Sequence, residues 1–150
     1  MKKVFFILLF FVSSCGYEPI YLNKKLENFE FQKITLKGDD YVNRKIVNTL
    51  LIKENKNSII QSELLISNTA KTEGTSKNSK GQIKSFRTVI SIYLEIKNNE
   101  KNTIQSRNFQ KSFSYNNKKN KFELVEYQNF IKNDLINQII KDIIIFINTQ

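Results

Sequence analysis

From Ser85 to Ile96 the chain changes character at every step. Phe86, Thr88, Ile90, Ile92, Leu94 and Ile96 alternate with Ser85, Arg87, Val89, Ser91, Tyr93 and Glu95. A period of two marks a strand with one buried face. Three further segments read as strands beside it. Residues 29–36 have a short-period pattern that slips near Gln32 and ends at Gly38. Residues 59–70 predict a second strand, and residues 103–115 a fourth, with Phe109, Phe113 and Tyr115 in phase. Lys97–Asn102 is a polar turn. Lys71–Gly81, built from Gly, Ser, Thr, Asn and Lys, predicts a mobile loop at the tip of an extended hairpin.

Two segments carry the helical period. Asp39-Asp40 is an N-cap signal, and Val42, Ile46, Val47, Leu50 and Leu51 follow on one side of a helix over residues 40–54. Residues 122–148 predict a longer helix. Leu124, Tyr127, Ile131, Leu135, Ile139 and Phe146 lie near one line that Asp142 interrupts, and Ile136, Ile140, Ile143, Ile144 and Ile147 widen it. Lys132, Asn133, Asn137, Gln138 and Lys141 exclude a membrane span. The stretch Ile143–Ile147 is apolar almost all round and needs cover from the sheet or from another protein. The order β-α-β-β-β-α predicts an α+β two-layer sandwich: a four-stranded, mostly antiparallel sheet with two helices packed on one face.

The start of the chain obeys different rules. Lys2 and Lys3 precede an unbroken apolar run from Val4 to Val12. Such a run makes about 14 Å of helix at roughly 1.5 Å per residue, less than half of a ~30 Å hydrocarbon core. Residues 1–14 therefore read as a signal peptide. Val12-Ser13-Ser14-Cys15 fits the bacterial lipobox: a branched apolar residue, two small ones and a cysteine whose thiolate takes up a diacylglyceryl group. One acyl chain holds a protein only marginally, so two or three on Cys15 are what make anchoring lasting. Gly16 follows where an Asp would resemble inner-membrane retention. The expected location is the outer membrane, periplasmic side, lipid-anchored. Residues 15–28 read as the lipidated tether and residues 29–150 as one domain.

Composition narrows the chemistry. Cys15 is the one cysteine, and histidine and tryptophan are absent from all 150 residues. Common zinc sites and the commonest general base are excluded, and no Ser-x-x-Lys occurs. Glu63, Glu73, Glu95 and Asp134 show no defensible catalytic spacing. The sequence therefore predicts no enzyme activity, no metal and no cofactor. The formal net charge is +10. Outside the cytoplasm that charge suits anionic lipid and lipopolysaccharide phosphates, not nucleic acid.

Cys15-Gly16-Tyr17-Glu18-Pro19-Ile20-Tyr21 resembles the Cys-Gly-aromatic-x-Pro-(Ile/Leu)-Tyr opening of one lineage of the lipopolysaccharide-assembly lipoprotein family, LptE. Element order and mature length agree with it. The resemblance implies a partner instead of a reaction: a lipoprotein that plugs and helps assemble the LptD-type outer-membrane β-barrel and binds lipopolysaccharide during its export. It carries over no catalytic residues. The candidate contacts come from this chain's own chemistry, since basic side chains pair with phosphate through charge-assisted hydrogen bonds. They are Lys77, Lys80, Lys84 and Arg87, with Lys71 beside them, and a second group of Lys118, Lys119 and Lys121. The alternative is a periplasmic lipoprotein accessory of another envelope lipid-transport system of the ABC type.

Overall fold

The alternation in the third predicted strand becomes the middle of the molecule. In the computed structural model, which describes residues 29–57 and 61–149, Thr88, Ile90, Ile92 and Leu94 are buried, while their neighbours at 89, 91, 93 and 95 are only partly covered. The elements are β1 (Glu30–Phe31), β2 (Lys33–Lys37), α1 (Asp40–Thr49), β3 (Lys53–Glu54), β4 (Ser62–Lys77), β5 (Ile83–Asn98), β6 (Thr103–Asn116) and α2 (Lys121–Asn148). The main sheet has the order β2-β4-β5-β6, with β2 parallel to β4 and the other pairs antiparallel. Both helices cover one sheet face, as the α+β two-layer expectation required. The predicted signal peptide, Cys15 and the tether lie outside the described residues, as do Ile59 and Ile60 of the predicted second strand.

The core follows from that layering. Leu64 and Ile66 on β4, Ile90, Ile92 and Leu94 on β5 and Phe109 on β6 face Val42 and Ile46 of α1 and Ile131, Leu135, Ile136, Ile139 and Ile143 of α2. Each such side chain contributes about 1.5–3 kcal/mol when fully buried. Ile143 and Phe146 are buried, Ile144 and Ile147 pack against the core, and Ile145 stays exposed. The sheet thus covers the apolar end of α2 apart from Ile145. Phe146 meets Phe109 edge to face at 5.9 Å, with the Arg107 guanidinium over both rings. Asp142, the break in the apolar line, pairs with Lys111 on β6 at 2.8 Å.

Three expectations are corrected. The first strand is two: Gln32 donates its N–H to the Ser62 carbonyl between β1, which pairs with β3, and β2, which pairs with β4. The first helix stops at Thr49, not 54. Leu51 has a positive φ of 51°, and the chain then straightens so that Lys53 and Glu54 pair beside β1. Third, Lys71–Gly81 is not a mobile loop. Through Lys77 it is strand, paired with residues 83–89 of β5, and only the turn at Asn78–Gln82 remains as tip. Phe113 is in phase with Phe109 and Tyr115, as expected, and is 47% exposed.

The β2–α1 turn ties the layers together. Gly38 has φ +100°, and a Cβ there would fall 2.0 Å from the Asn68 carbonyl oxygen. Asp39 caps α1, accepting from the Val42 N–H at 3.0 Å, and its other oxygen accepts from Lys132 Nζ of α2 at 2.9 Å. Lys132 also sits 5.1 Å over the Tyr41 ring, and Tyr41 and Lys45 donate to the Asn133 side chain. The Lys132 hydrogen bond, above all, lowers the Asp39 pKa from its ordinary 3.8, against the opposing effect of burial.

Two outcomes follow. Gly38→Ala lowers stability by about 2 kcal/mol or more through strain and overlap, read as the urea midpoint, whereas Gly81→Ala at the open tip, with nothing within 4 Å of an added Cβ, costs only about 1 kcal/mol. Asp39→Asn keeps a competent cap but loses the ion pair. A carboxylate with a depressed folded pKa stabilises above the unfolded value and loses that contribution as pH falls through the folded one. The gap in melting temperature between parent and Asp39→Asn is therefore present at neutral pH and closes as the pH drops below 3.8.

Candidate functional site

The two basic groups, about thirty residues apart in sequence, meet at one end of the sheet. Lys77 closes β4, Lys80 lies in the tip turn, and Lys84 and Arg87 lie at the start of β5. Lys118 and Lys119 occupy the β6–α2 connection and Lys121 opens α2. Register does the gathering. Ser85 pairs with Asn116 and Lys77 with Ile83. Asn117 then seals the junction, donating its N–H to the Lys84 carbonyl at 2.8 Å and its amide to the Ile83 carbonyl at 2.7 Å. All seven side chains are exposed. The two ion pairs among the described residues, Lys111–Asp142 and Lys132–Asp39, lie elsewhere.

Arg87 stands on the uncovered sheet face, as its phase in the alternation required. Its register partners are Glu73 on β4 and Ser114 on β6, and its Nε donates to Ser114 Oγ at 3.1 Å. Lys118 is held differently, with Nζ 4.6 Å over the Tyr127 ring. Lys71 lies on the same uncovered face, paired in register with Val89.

Aromatic side chains, which the charge pattern did not reveal, share this end. Phe86 stacks on Tyr115, Tyr115 meets Tyr127 edge to face at 5.5 Å, and Tyr127 stacks on Phe130. Beneath them a hydroxyl chain joins the strands: Thr72 to the buried Thr88 at 2.9 Å, and Thr88 to the Tyr115 hydroxyl at 3.1 Å. Phe122 and Phe130 are 69% and 66% exposed, and Val125 and Phe113 are also open. The available signal was positional, since Phe122, Val125 and Phe130 fall off the line of Leu124, Tyr127 and Ile131. Exposed rings framed by lysines suit a ligand that is apolar in one part and anionic in another. The described residues hold no group of three or more side chains able to ligate a metal, and no described helix is long and apolar enough to cross a membrane.

No protein-family model matches the sequence, and no curated protein matches it. Solved structures do. Rare lipoprotein B from Shewanella oneidensis aligns with a TM-score of 0.57 at 10% identity, covering 78% of this chain and 94% of that one. A protein described as a lipoprotein from Caulobacter crescentus aligns with a TM-score of 0.51 at 12% identity, over 79% of this chain and 88% of that one. The fold is the one these lipoproteins share. It is the two-layer α+β arrangement that the element order implied. At such identities the likeness speaks for the fold alone and leaves each contact residue to chemistry.

The exposed rings are not held in place by the needs of folding. Phe122→Ser and Phe130→Ser each change stability by less than about 0.5 kcal/mol, whereas Tyr127→Ala, which removes a partly buried ring from a contiguous stack, costs about 2 kcal/mol or more. Thermal unfolding of the three variants checks the contrast.

Proposed function

We propose that the protein is a lipid-anchored outer-membrane protein that seats in an LptD-type β-barrel, helps that barrel assemble, and binds lipopolysaccharide on its way to the cell surface. The observation that carries this reading is the division of the molecule into two ends. The chain enters the domain at Phe29, whose carbonyl accepts from Lys53, beside the Ser62 end of β4. The candidate lysines and exposed rings gather at the other end, whereas at the entry end Lys33, Lys53, Lys97 and Lys101 are interspersed with Glu30, Glu54, Glu63 and Glu100. The 16 residues of β5 separate the two by about 53 Å at ~3.3 Å per residue. An acylated Cys15 would fasten one end to the bilayer and leave a cationic, aromatic surface to reach a phosphorylated glycolipid at the other. Binding and positioning need no turnover, which fits a sequence without histidine or a thiol left free by lipidation.

Three measurements test this. Labelled palmitate is incorporated into the parent and not into Cys15→Ser, which leaves the membrane fraction. Gentle detergent extraction recovers the protein with a large outer-membrane barrel identified by mass, and depletion of the protein halts assembly of that barrel. Replacing Lys77, Lys80, Lys84, Lys118, Lys119 and Lys121 by Gln weakens lipopolysaccharide binding and flattens its dependence on salt, because exposed charges act through a screened field with a Debye length of about 10 Å at 0.1 M. A protein that runs as a free monomer after gentle extraction overturns the reading.

A further inference from the structure

The sheet ends in three exposed stretches of strand, and two of them are guarded. On β2 the outward N–H of Ile34 is capped by the Glu54 carboxylate at 3.1 Å. Where β4 runs on past β2, the Asn68 side chain fills the first step, Lys71 and Glu73 put charges on the stretch that follows, and the ladder with β5 shifts register at Gly74–Ser76 and Ser76–Lys77, so the strand is irregular there. Both devices are ones by which sheets refuse further pairing. β6 has neither. Its ladder with β5 runs from Asn98–Thr103 to Ser85–Asn116 with no register shift, and among the described residues no strand pairs with its outer side.

The phase of this edge is fixed. Asn117 gives its N–H to Lys84, so the odd-numbered residues of β6 aim their backbone groups at β5. The even-numbered residues, from Ile104 to Asn116, aim theirs outward. None of those even-numbered side chains carries a charge. The two charges on β6 are already engaged, Lys111 with Asp142 and Arg107 over the rings of Phe109 and Phe146. Beside the last turn of the edge lies a groove lined by Phe113, Tyr115, Tyr127 and Lys118, and the exposed Lys119 and Lys121 follow it in the chain.

We propose that β6 accepts an extended segment of a partner protein as a fifth strand. Main-chain hydrogen bonds to the even-numbered residues supply the attachment. An apolar side chain of the segment enters the groove between Phe113 and Tyr127, and acidic side chains at its end meet Lys118, Lys119 and Lys121. A second copy of this chain fits poorly. Two-fold antiparallel pairing of β6 with itself brings the Lys118–Lys121 loop of each copy to the Thr103 end of the other, where Lys97 and Lys101 outweigh Glu100 and leave no net negative charge to receive it. Charge therefore selects an acidic, heterologous strand. The mode of attachment goes beyond the reading above and does not require the partner to be a barrel.

The test uses the full lipidated chain in its own membranes, with a photoreactive benzoylphenylalanine in place of Asn108 at the outer edge. The expected product is a cross-link to an extended, Asp- or Glu-bearing segment of another protein, mapped by mass spectrometry. It is lost in Ser112→Pro, which removes an outward N–H and no bond to β5, and reduced in a variant with Lys118, Lys119 and Lys121 all changed to Glu. Gln110→Lys sets a charge on the same edge without touching the backbone, and it abolishes the cross-link even if Ser112→Pro lowers the melting temperature. A cross-link unchanged by both edge variants overturns the proposal. So does one to a second copy, one to residues 16–28 of the same chain, or none at all. Co-purification with a barrel in the absence of an edge cross-link overturns this inference alone and leaves the proposed function standing.

Discussion

The side chain of Asn68 is the joint between the two layers. It is 3% exposed, in the middle of the helix-facing side of β4. Its oxygen accepts from the Asp39 N–H at 3.0 Å, and its amide nitrogen donates to Asn43 at 2.7 Å and to the Lys37 carbonyl at 3.2 Å. One planar group thereby satisfies the end of β2, the cap of α1 and the first turn of that helix. A parallel pair such as β2–β4 demands a crossover connection, and the crossover must leave the sheet and fold back over it. Gly38 makes the departure sterically possible, and Asn68 makes it electrostatically tolerable, since backbone groups taken out of water must find partners. Without that seat α1 has no fixed position, and Leu64 and Ile66 lose the cover of Val42 and Ile46.

From this joint the molecule divides along its length. Toward the Asn98–Thr103 end the sheet lies under two helices and is held by aliphatic packing. Past Thr88 the support changes in kind. The segment from Lys71 to Lys77 is exposed on both sides, and what holds it is the cross-strand ladder, the Thr72–Thr88–Tyr115 hydroxyl chain and the ring contacts from Phe86 through Tyr115 to Tyr127. Regions with few buried apolar contacts open most readily, and surfaces used for recognition are drawn from them. Cations and aromatic faces thus collect where the core no longer dictates side-chain identity.

Much of this was legible, and the exceptions share a cause. Strict alternation in β5 and the broad isoleucine stripe of α2 are local patterns long enough to outweigh noise, and both elements stand where the periodicity put them. β1 and β3 are two-residue strands, too short to own a pattern, and exist because each finds the other. Lys71–Lys77 has the composition of a loop, but a 16-residue partner strand pairs along its inner side, so pairing overrides propensity. The site behaved alike. Each lysine group could be seen separately, and Arg87 was placed on the correct face by parity alone. Their convergence depends on the pairing of Ser85 with Asn116, a contact across thirty residues of sequence that no local reading contains. Phe122 and Phe130 sit off the apolar line of α2, where a sequence offers no reason for rings to be exposed.

The length of the central hairpin has a geometric corollary. At about 53 Å, β5 exceeds the ~40–45 Å depth of a whole bilayer with its headgroups. A strand of that length fixes the distance between the Asn98 end, packed under both helices, and the Ile83 end, where pairing with its neighbours holds the chain.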